Sequence, residues 1–299
     1  MAVGASRIYH VNSNCTDLDR SLRFYEALGL RRVLRTRPGA PQPGAAFGLV
    51  EVAWDAWMVS SDDGLDGILL DLLQWTTPGP TGAPPTATQP GLNRICVTTP
   101  HLDDVLMAVG DVGGRLVGGP LEAAGGVRTA TVQDPDGVAV QVIDGARTSI
   151  AQVVVNCTDL VRSVEYYRDV MGLRPVGEVR TVDQPAELHG QSVSGTARTL
   201  SLADGGSTVR VTLAEWREPP ATAARRAANE LGLFRMAWST DDCRRDEGVL
   251  RAAGSEPFAA TSELSVGDDL PLLRVLFWRG PDGECLELIE VAGDGGATT

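Results

Sequence analysis

The stretch Asn14-Cys15-Thr16-Asp17-Leu18 returns unchanged as Asn156-Cys157-Thr158-Asp159-Leu160. An identity of this length, so far along the chain, marks a repeated unit. Its flanks extend it: Ser21 and Phe24-Tyr25 match Ser163 and Tyr166-Tyr167, and Leu28-Gly29-Leu30-Arg31 matches Met171-Gly172-Leu173-Arg174. Further on, Trp75 and Pro78 match Trp216 and Pro219. Gly91-Leu92-Asn93-Arg94 matches Gly232-Leu233-Phe234-Arg235, and Asp134-Pro135-Asp136-Gly137 matches Gly280-Pro281-Asp282-Gly283. Residues 1–146 and 147–295 are expected to be two copies of one domain, which the 299 residues have room for.

Each half divides again into two strand–helix–strand modules. A strand over Ser6–Asn14 precedes a helix over Leu18–Ala27, with Thr16 or Asp17 as its cap. Leu18, Leu22 and Tyr25 share a face of that helix, and Gly29 stops it. Strands are expected near Arg31–Arg35, Phe47–Ser60 and Gly67–Trp75. The second module reads as a strand near Asn93–Thr99 and a helix near Leu102–Val109 capped by His101. Strands near Arg115–Val117, Val127–Gln133 and Ala139–Ile143 complete it. Thr76–Pro90 and Glu218–Glu230, the latter with a helical turn from Thr222, link modules, and Gly145–Ser149 links the halves. Ala123-Ala124-Gly125-Gly126 reads as a hairpin turn and Gly293–Thr299 as a frayed tail.

Composition excludes several function classes. With 43% hydrophobic and 22% charged residues the chain is not a disordered one. All 26 basic residues are Arg, against 39 Asp and Glu. The resulting charge of −13 opposes nucleic-acid and anionic-membrane partners. No apolar run reaches the ~20 residues of a membrane span, and Met1–Arg7 lacks a charged-then-apolar leader, so a cytoplasmic location is expected. Cys15, Cys96, Cys157, Cys243 and Cys285 never fall in C-x-x-C spacing, which predicts reduced thiols. No glycine-rich phosphate loop follows a strand, so no nucleotide cofactor is expected. Abundant Ala, Gly and Arg without Lys suggests a GC-rich bacterial genome.

Four such βαβββ modules resemble the vicinal oxygen chelate superfamily, the glyoxalase, bleomycin-resistance and extradiol-dioxygenase group. The resemblance spans residues 5–291. It rests on Ile8-Tyr9-His10-Val11 followed by Thr16-Asp17-Leu18, on the closing strand Leu69-Leu70-Asp71-Leu72-Leu73-Gln74-Trp75, and on the two Pro-Asp-Gly turns. It implies an α+β fold of two glyoxalase-like domains with cupped mixed sheets, two modules to a cavity. It does not fix the reaction.

The resemblance also implies where metal ligands stand. One is in the opening strand, usually His, seven residues before the helix-start Asp; the other is in the last strand, usually Glu. Here the opening positions hold His10, Arg94, Gln152 and Arg235, and the last-strand positions Asp71, Gln141, Thr212 and Glu287. Only His10, Asp71 and Glu287 are ordinary ligands of a divalent ion, and the two arginines would repel one. If module 1 pairs with 2 and module 3 with 4, these three are divided between cups. If 1 pairs with 4 and 2 with 3, His10, Asp71, Glu287 and Arg235 share one cup, and Arg94, Gln141, Gln152 and Thr212 the other. The sequence leaves both arrangements open. It also leaves open whether the cofactor is none or a single zinc, manganese or iron, because Arg235 beside Asp71 and Glu287 equally describes a buried ion-pair network.

The expected function is a tailoring enzyme, lyase, isomerase or oxygenase-like, acting on an oxygenated aromatic or polyketide-like small molecule. His10, Glu287 and Arg235 are the catalytic candidates; Asn12, Arg94, Gln141, Gln152 and His189 are candidate substrate contacts. The alternative is an antibiotic-sequestering protein of the bleomycin-resistance type. Trp54, Trp57 and Trp278 either stack on a ligand or pack a core, and Asn14 and Asn156 either contact ligand or secure the strand-to-helix turn. The repeat supplies its own two-fold partner, so a monomer or a homodimer is expected.

Overall fold

The computed structural model describes residues 2–5, 7–122, 126–190, 194–217 and 226–291. Module 1 comprises β1 (Arg7–Asn14), α1 (Leu18–Ala27), β2 (Arg31–Thr36), β3 (Gln42–Pro43), β4 (Glu51–Ser60) and β5 (Leu69–Thr77). Module 2 comprises β6 (Gly91–Thr99), α2 (Leu102–Ala108), β7 (Arg115–Glu122), β8 (Arg128–Gln133) and β9 (Ala139–Asp144). Module 3 comprises β10 (Ser149–Asn156), α3 (Leu160–Asp169), β11 (Arg174–Gln184), α4 (Ala186–His189), β12 (Gly195–Ala203) and β13 (Arg210–Trp216). Module 4 comprises β14 (Gly232–Ser239), α5 (Cys243–Ala252), β15 (Ser262–Leu264), β16 (Leu273–Arg279) and β17 (Cys285–Val291).

The repeated Asp is the helix signal. Asp17, Asp159 and Asp242 each hold an extended backbone and accept from the first free amides of α1, α3 and α5. Gly29, with a φ of 92°, ends the first turn of chain after α1, as an unbranched residue can. His101 stands at the cap position of α2 but makes no side-chain cap bond, and lies 3.8 Å from Asp104 instead. The expected strand over 47–60 begins later, at Glu51, because Ala45–Phe47 close a 3₁₀ turn between Gly44 and a left-handed Gly48. β7 is longer than its pattern suggested and runs to Glu122, its irregular pairing with β8 absorbing Gly118–Pro120. Most of the hairpin assigned to 123–126 and of the linker from Glu218, and the tail from Gly293, fall outside the described residues.

The sheets decide the pairing of modules. β1 runs antiparallel to β14 and β10 antiparallel to β6, so module 1 joins 4 and module 2 joins 3. One mixed sheet has nine strands, in the order β15-β16-β17-β14-β1-β5-β4-β2 with β3 beside β4. The other has eight, in the order β11-β12-β13-β10-β6-β9-β8-β7. The helical side ties the modules differently. Tyr25 on α1 donates to Asp134 in the turn of module 2 at 3.1 Å, and Tyr167 on α3 donates to Glu284 after the turn of module 4 at 2.8 Å.

Alternation sends successive strand residues to opposite faces. Ile8, Val11, Leu70, Leu72, Leu286 and Leu288 join one continuous core between the helices and the backs of both sheets. The concave face of the nine-stranded sheet carries a second core with Phe47, Trp54, Trp75, Phe234 and Phe277. Among the described residues the concave face of the eight-stranded sheet carries a much smaller cluster, Cys96, Val154 and Ala214, with Ile143 against them. Among the described residues no helix is long and apolar enough to cross a membrane.

Candidate active site

Four central strands of the nine-stranded sheet each place one functional side chain in its cup. His10 comes from β1, Asp71 from β5, Arg235 from β14 and Glu287 from β17, and all four are 6% exposed or less. Arg235 lies between the carboxylates. Its Nε donates to Glu287 Oε2 at 2.8 Å and its Nη2 to Asp71 Oδ2 at 2.7 Å. Asn12 Nδ2 donates to the same Asp71 oxygen at 3.2 Å and to the Asp71 carbonyl at 3.1 Å. His10 Nε2 stands 3.4 Å from Glu287 Oε2. Burial works against the Arg235 charge, but Glu287 and Asp71 outweigh it and hold the guanidinium above its ordinary range.

Several polar atoms here are buried without a hydrogen-bond partner: both His10 ring nitrogens, Arg235 Nη1, Asp71 Oδ1 and Asn12 Oδ1. Unmet groups of this kind are rare and call for a reason, a bound ligand being one. The cavity beside them has a volume of about 140 Å³. Its walls are apolar, with Leu34, Trp54, Met58, Leu264, Val266 and Ile289 among them. Of the three tryptophans in question, Trp54 lines the cavity and donates to Thr36. Trp57 faces away, under Arg32 and Arg35, and Trp278 is packed in the main core with its Nε1 on Tyr166.

The donor set does not fit a divalent ion. His10, Asp71 and Glu287 are ligand types, yet the guanidinium already takes an oxygen of each carboxylate, and a metal among them would face that fixed positive charge. Among the described residues no group of three or more His, Cys, Asp and Glu is arranged to hold a metal ion.

The remaining sequence candidates stand in the other cup. Arg94 on β6, Gln141 on β9, Gln152 on β10 and Thr212 on β13 occupy its strands as the first four do theirs. Thr212 donates to Gln152 at 3.1 Å and Gln141 to Thr129 at 3.0 Å. His189 lies on α4, buried, with its ring edge-on to Trp216 and the ring centres 5.3 Å apart. Pro185 and Gly190 bracket that helix and were its unread signal. Burial, then the Arg94 charge, lowers the His189 pKa to about 3, so the ring is neutral. Arg94, Gln141, Gln152 and His189 thus do not share a cup with His10. Sequence reading missed Tyr9 and Met58 in the first cup and Thr129 and Thr131 in the second. Tyr9 departs from alternation, lining the cavity beside His10 where the register of β1 against β14 shifts between Ile8 and His10.

Asn14 and Asn156 secure something other than the strand-to-helix turn. Asn14 donates to the carbonyls of Ala228 and Glu230 and accepts from Trp75 Nε1. Asn156 donates to Ala87 and Gln89 and accepts from Trp216 Nε1. Each pins the linker that leads into the strand beside its own.

The fold has close relatives among solved structures. Glyoxalase I from Zea mays superposes with a TM-score of 0.65 at 18% identity, over 95% of this chain and 92% of that one. A putative dioxygenase from Bacillus subtilis subsp. subtilis str. 168 superposes with a TM-score of 0.63 at 13% identity, over 98% and 87%. At these identities the likeness is one of fold. No curated protein matches the sequence. The family model for the Glyoxalase/Bleomycin resistance protein/Dioxygenase superfamily matches residues 7–142 and again 149–256, and to that superfamily this tandem chain belongs.

Proposed function

We propose that the first cup is a metal-independent acid/base site for a small, oxygenated and mainly apolar molecule. The observation that carries this reading is Arg235, bound by both carboxylates, with Nη1 left free beside an unpartnered His10. A substrate carbonyl oxygen accepts from Arg235 Nη1. His10 takes the proton from the neighbouring carbon, and the C–H electron pair becomes the C=C of an enolate whose oxygen stays on the guanidinium. Return of the proton to another face or carbon gives an isomerase; departure of a β-substituent with the pair gives a lyase. The imidazolium formed on His10 offsets the charge of the enolate, so the transfer leaves the net charge of the site unchanged.

The size of the cavity supports a ligand of about one ring. Its volume of about 140 Å³ is close to the ~150 Å³ of an apolar cavity that takes up benzene. A tailoring step on an aromatic or polyketide-like compound would place one ring here. The test is deuterium incorporation, followed by NMR in D₂O with chelator present, across a panel of small cyclic and aryl ketones. Wild type is expected to exchange the proton next to the carbonyl in excess substrate, and His10→Gln to lose at least ~100-fold of that rate. Exchange that needs added metal, or that is equal in His10→Gln, defeats the proposal.

A second reading has its own support. The Asp71–Arg235–Glu287 contacts are closed and the walls apolar, which suits a protein that holds a ligand, such as a sequestered antibiotic, without changing it. Such a ligand is recovered intact from equimolar protein, whereas an enzyme converts an excess.

A further inference from the structure

Arg94 and Arg235 hold the same place in the repeat, yet among the described residues only Arg235 has counter-ions. Around Arg94 the positions of His10, Asp71 and Glu287 are taken by Gln152, Thr212 and Gln141, so every carboxylate is replaced by a neutral group. Arg94 is 7% exposed. Its Nη1 donates only to the adjacent Asn93 at 3.3 Å, its Nε is buried without a partner, and among the described residues no carboxylate pairs with it. A buried charge left so is costly unless something completes it.

Two further buried atoms of this cup lack partners, Thr131 Oγ1 and His189 Nε2. Thr131 stands opposite Gln141 across β8 and β9. His189 is brought over the cup by α4, which seats so closely on β7 that a Cβ on Gly118 would meet the Glu187 carbonyl oxygen. A cation, a hydroxyl and a neutral imidazole, each with an atom unpartnered among the described residues, thus belong to one cup, with the Arg94 charge felt by His189 and with Cys96, Val154 and Ala214 clustered on its concave face.

We infer that the second cup is a binding site for a small organic monocarboxylate, held by Arg94 with Thr131 and His189, its carbon end against Val154 and Ala214. A single cation matches a monoanion, and the planar guanidinium matches a carboxylate's two oxygens. The site does not depend on the acid/base reading of the first cup, which lies in the other sheet.

The test uses the full chain and sodium propionate, titrated at constant ionic strength against sodium fluoride, with the thermal midpoint as readout. A saturable rise specific to propionate is expected, because a ligand of the folded state stabilises it. Arg94→Met is expected to remove the rise, and Thr131→Val to raise the half-saturating concentration several-fold. No rise in wild type overturns the inference, as does an undiminished rise in Arg94→Met. Should Arg94→Met not fold, Thr131→Val decides alone: an unchanged half-saturation overturns the site.

Discussion

The two cups place an arginine at the same repeat position and surround it in opposite ways. Around Arg235 two carboxylates answer the guanidinium, and together they overcome what burial costs it. Around Arg94 no described group answers, and burial pulls its pKa below the ordinary value with only Cys96 opposing. The first cup packs aromatic side chains around an ion-paired arginine; the second carries the hydrogen-bonded row Ser201, Thr212 and Gln152 and, among the described residues, a far smaller apolar cluster. One backbone thus supports both a paired charge and an open one. The difference lies in three side-chain positions per cup, and the arginine itself is common to both.

The sharpest way to break this comparison is to remove each arginine in turn. Arg235→Met strands two buried carboxylates, and a loss of roughly 3–5 kcal/mol in denaturant unfolding is expected. Arg94→Met removes an unanswered charge, and unchanged or higher stability is expected. Equal losses in both variants would abolish the contrast between the cups.

Next in size is a pH effect that both halves should share. Burial is the main cause that pushes Asp134 and Glu284 up to about 7, with Asp136 and Asp282 adding repulsion and Tyr25 and Tyr167 hydrogen-bonding against it. A carboxyl whose folded pKa is raised contributes most below its unfolded value and loses that contribution as pH climbs through about 7. Stability should therefore fall between pH 5 and pH 8, by roughly 2–4 kcal/mol for each group. Asp134→Asn and Glu284→Gln should each flatten the curve of thermal midpoint against pH. A curve that rises over this range in wild type contradicts the assignment.

The smallest effect tests where the halves are alike. Asn14→Ala and Asn156→Ala each leave two linker carbonyls and a Trp Nε1 unmatched. A loss of about 1–3 kcal/mol is expected from each, similar in the two. A large inequality would show that the linkers, unlike the arginines, are not equivalent.

Much of this was legible along the chain. The Asn-Cys-Thr-Asp-Leu repeat located α1 and α3 through their capping aspartates, whereas His10, Asp71, Arg235 and Glu287 were found at the positions that the family resemblance implies. The helix that carries His189 went unread because four residues are too few to show a period. Phe47 was read into a strand because its hydrophobicity suits a strand and a 3₁₀ turn under a core equally well.

The chain alone therefore determines the modules and their number, since capping and strand periodicity are local rules. Only the folded sheets decide that β1 meets β14 and β6 meets β10. Edge strands join through backbone amides and carbonyls, which are the same in every residue and leave no mark in side-chain order. From that one choice follows which arginine finds its carboxylates and which is left without them.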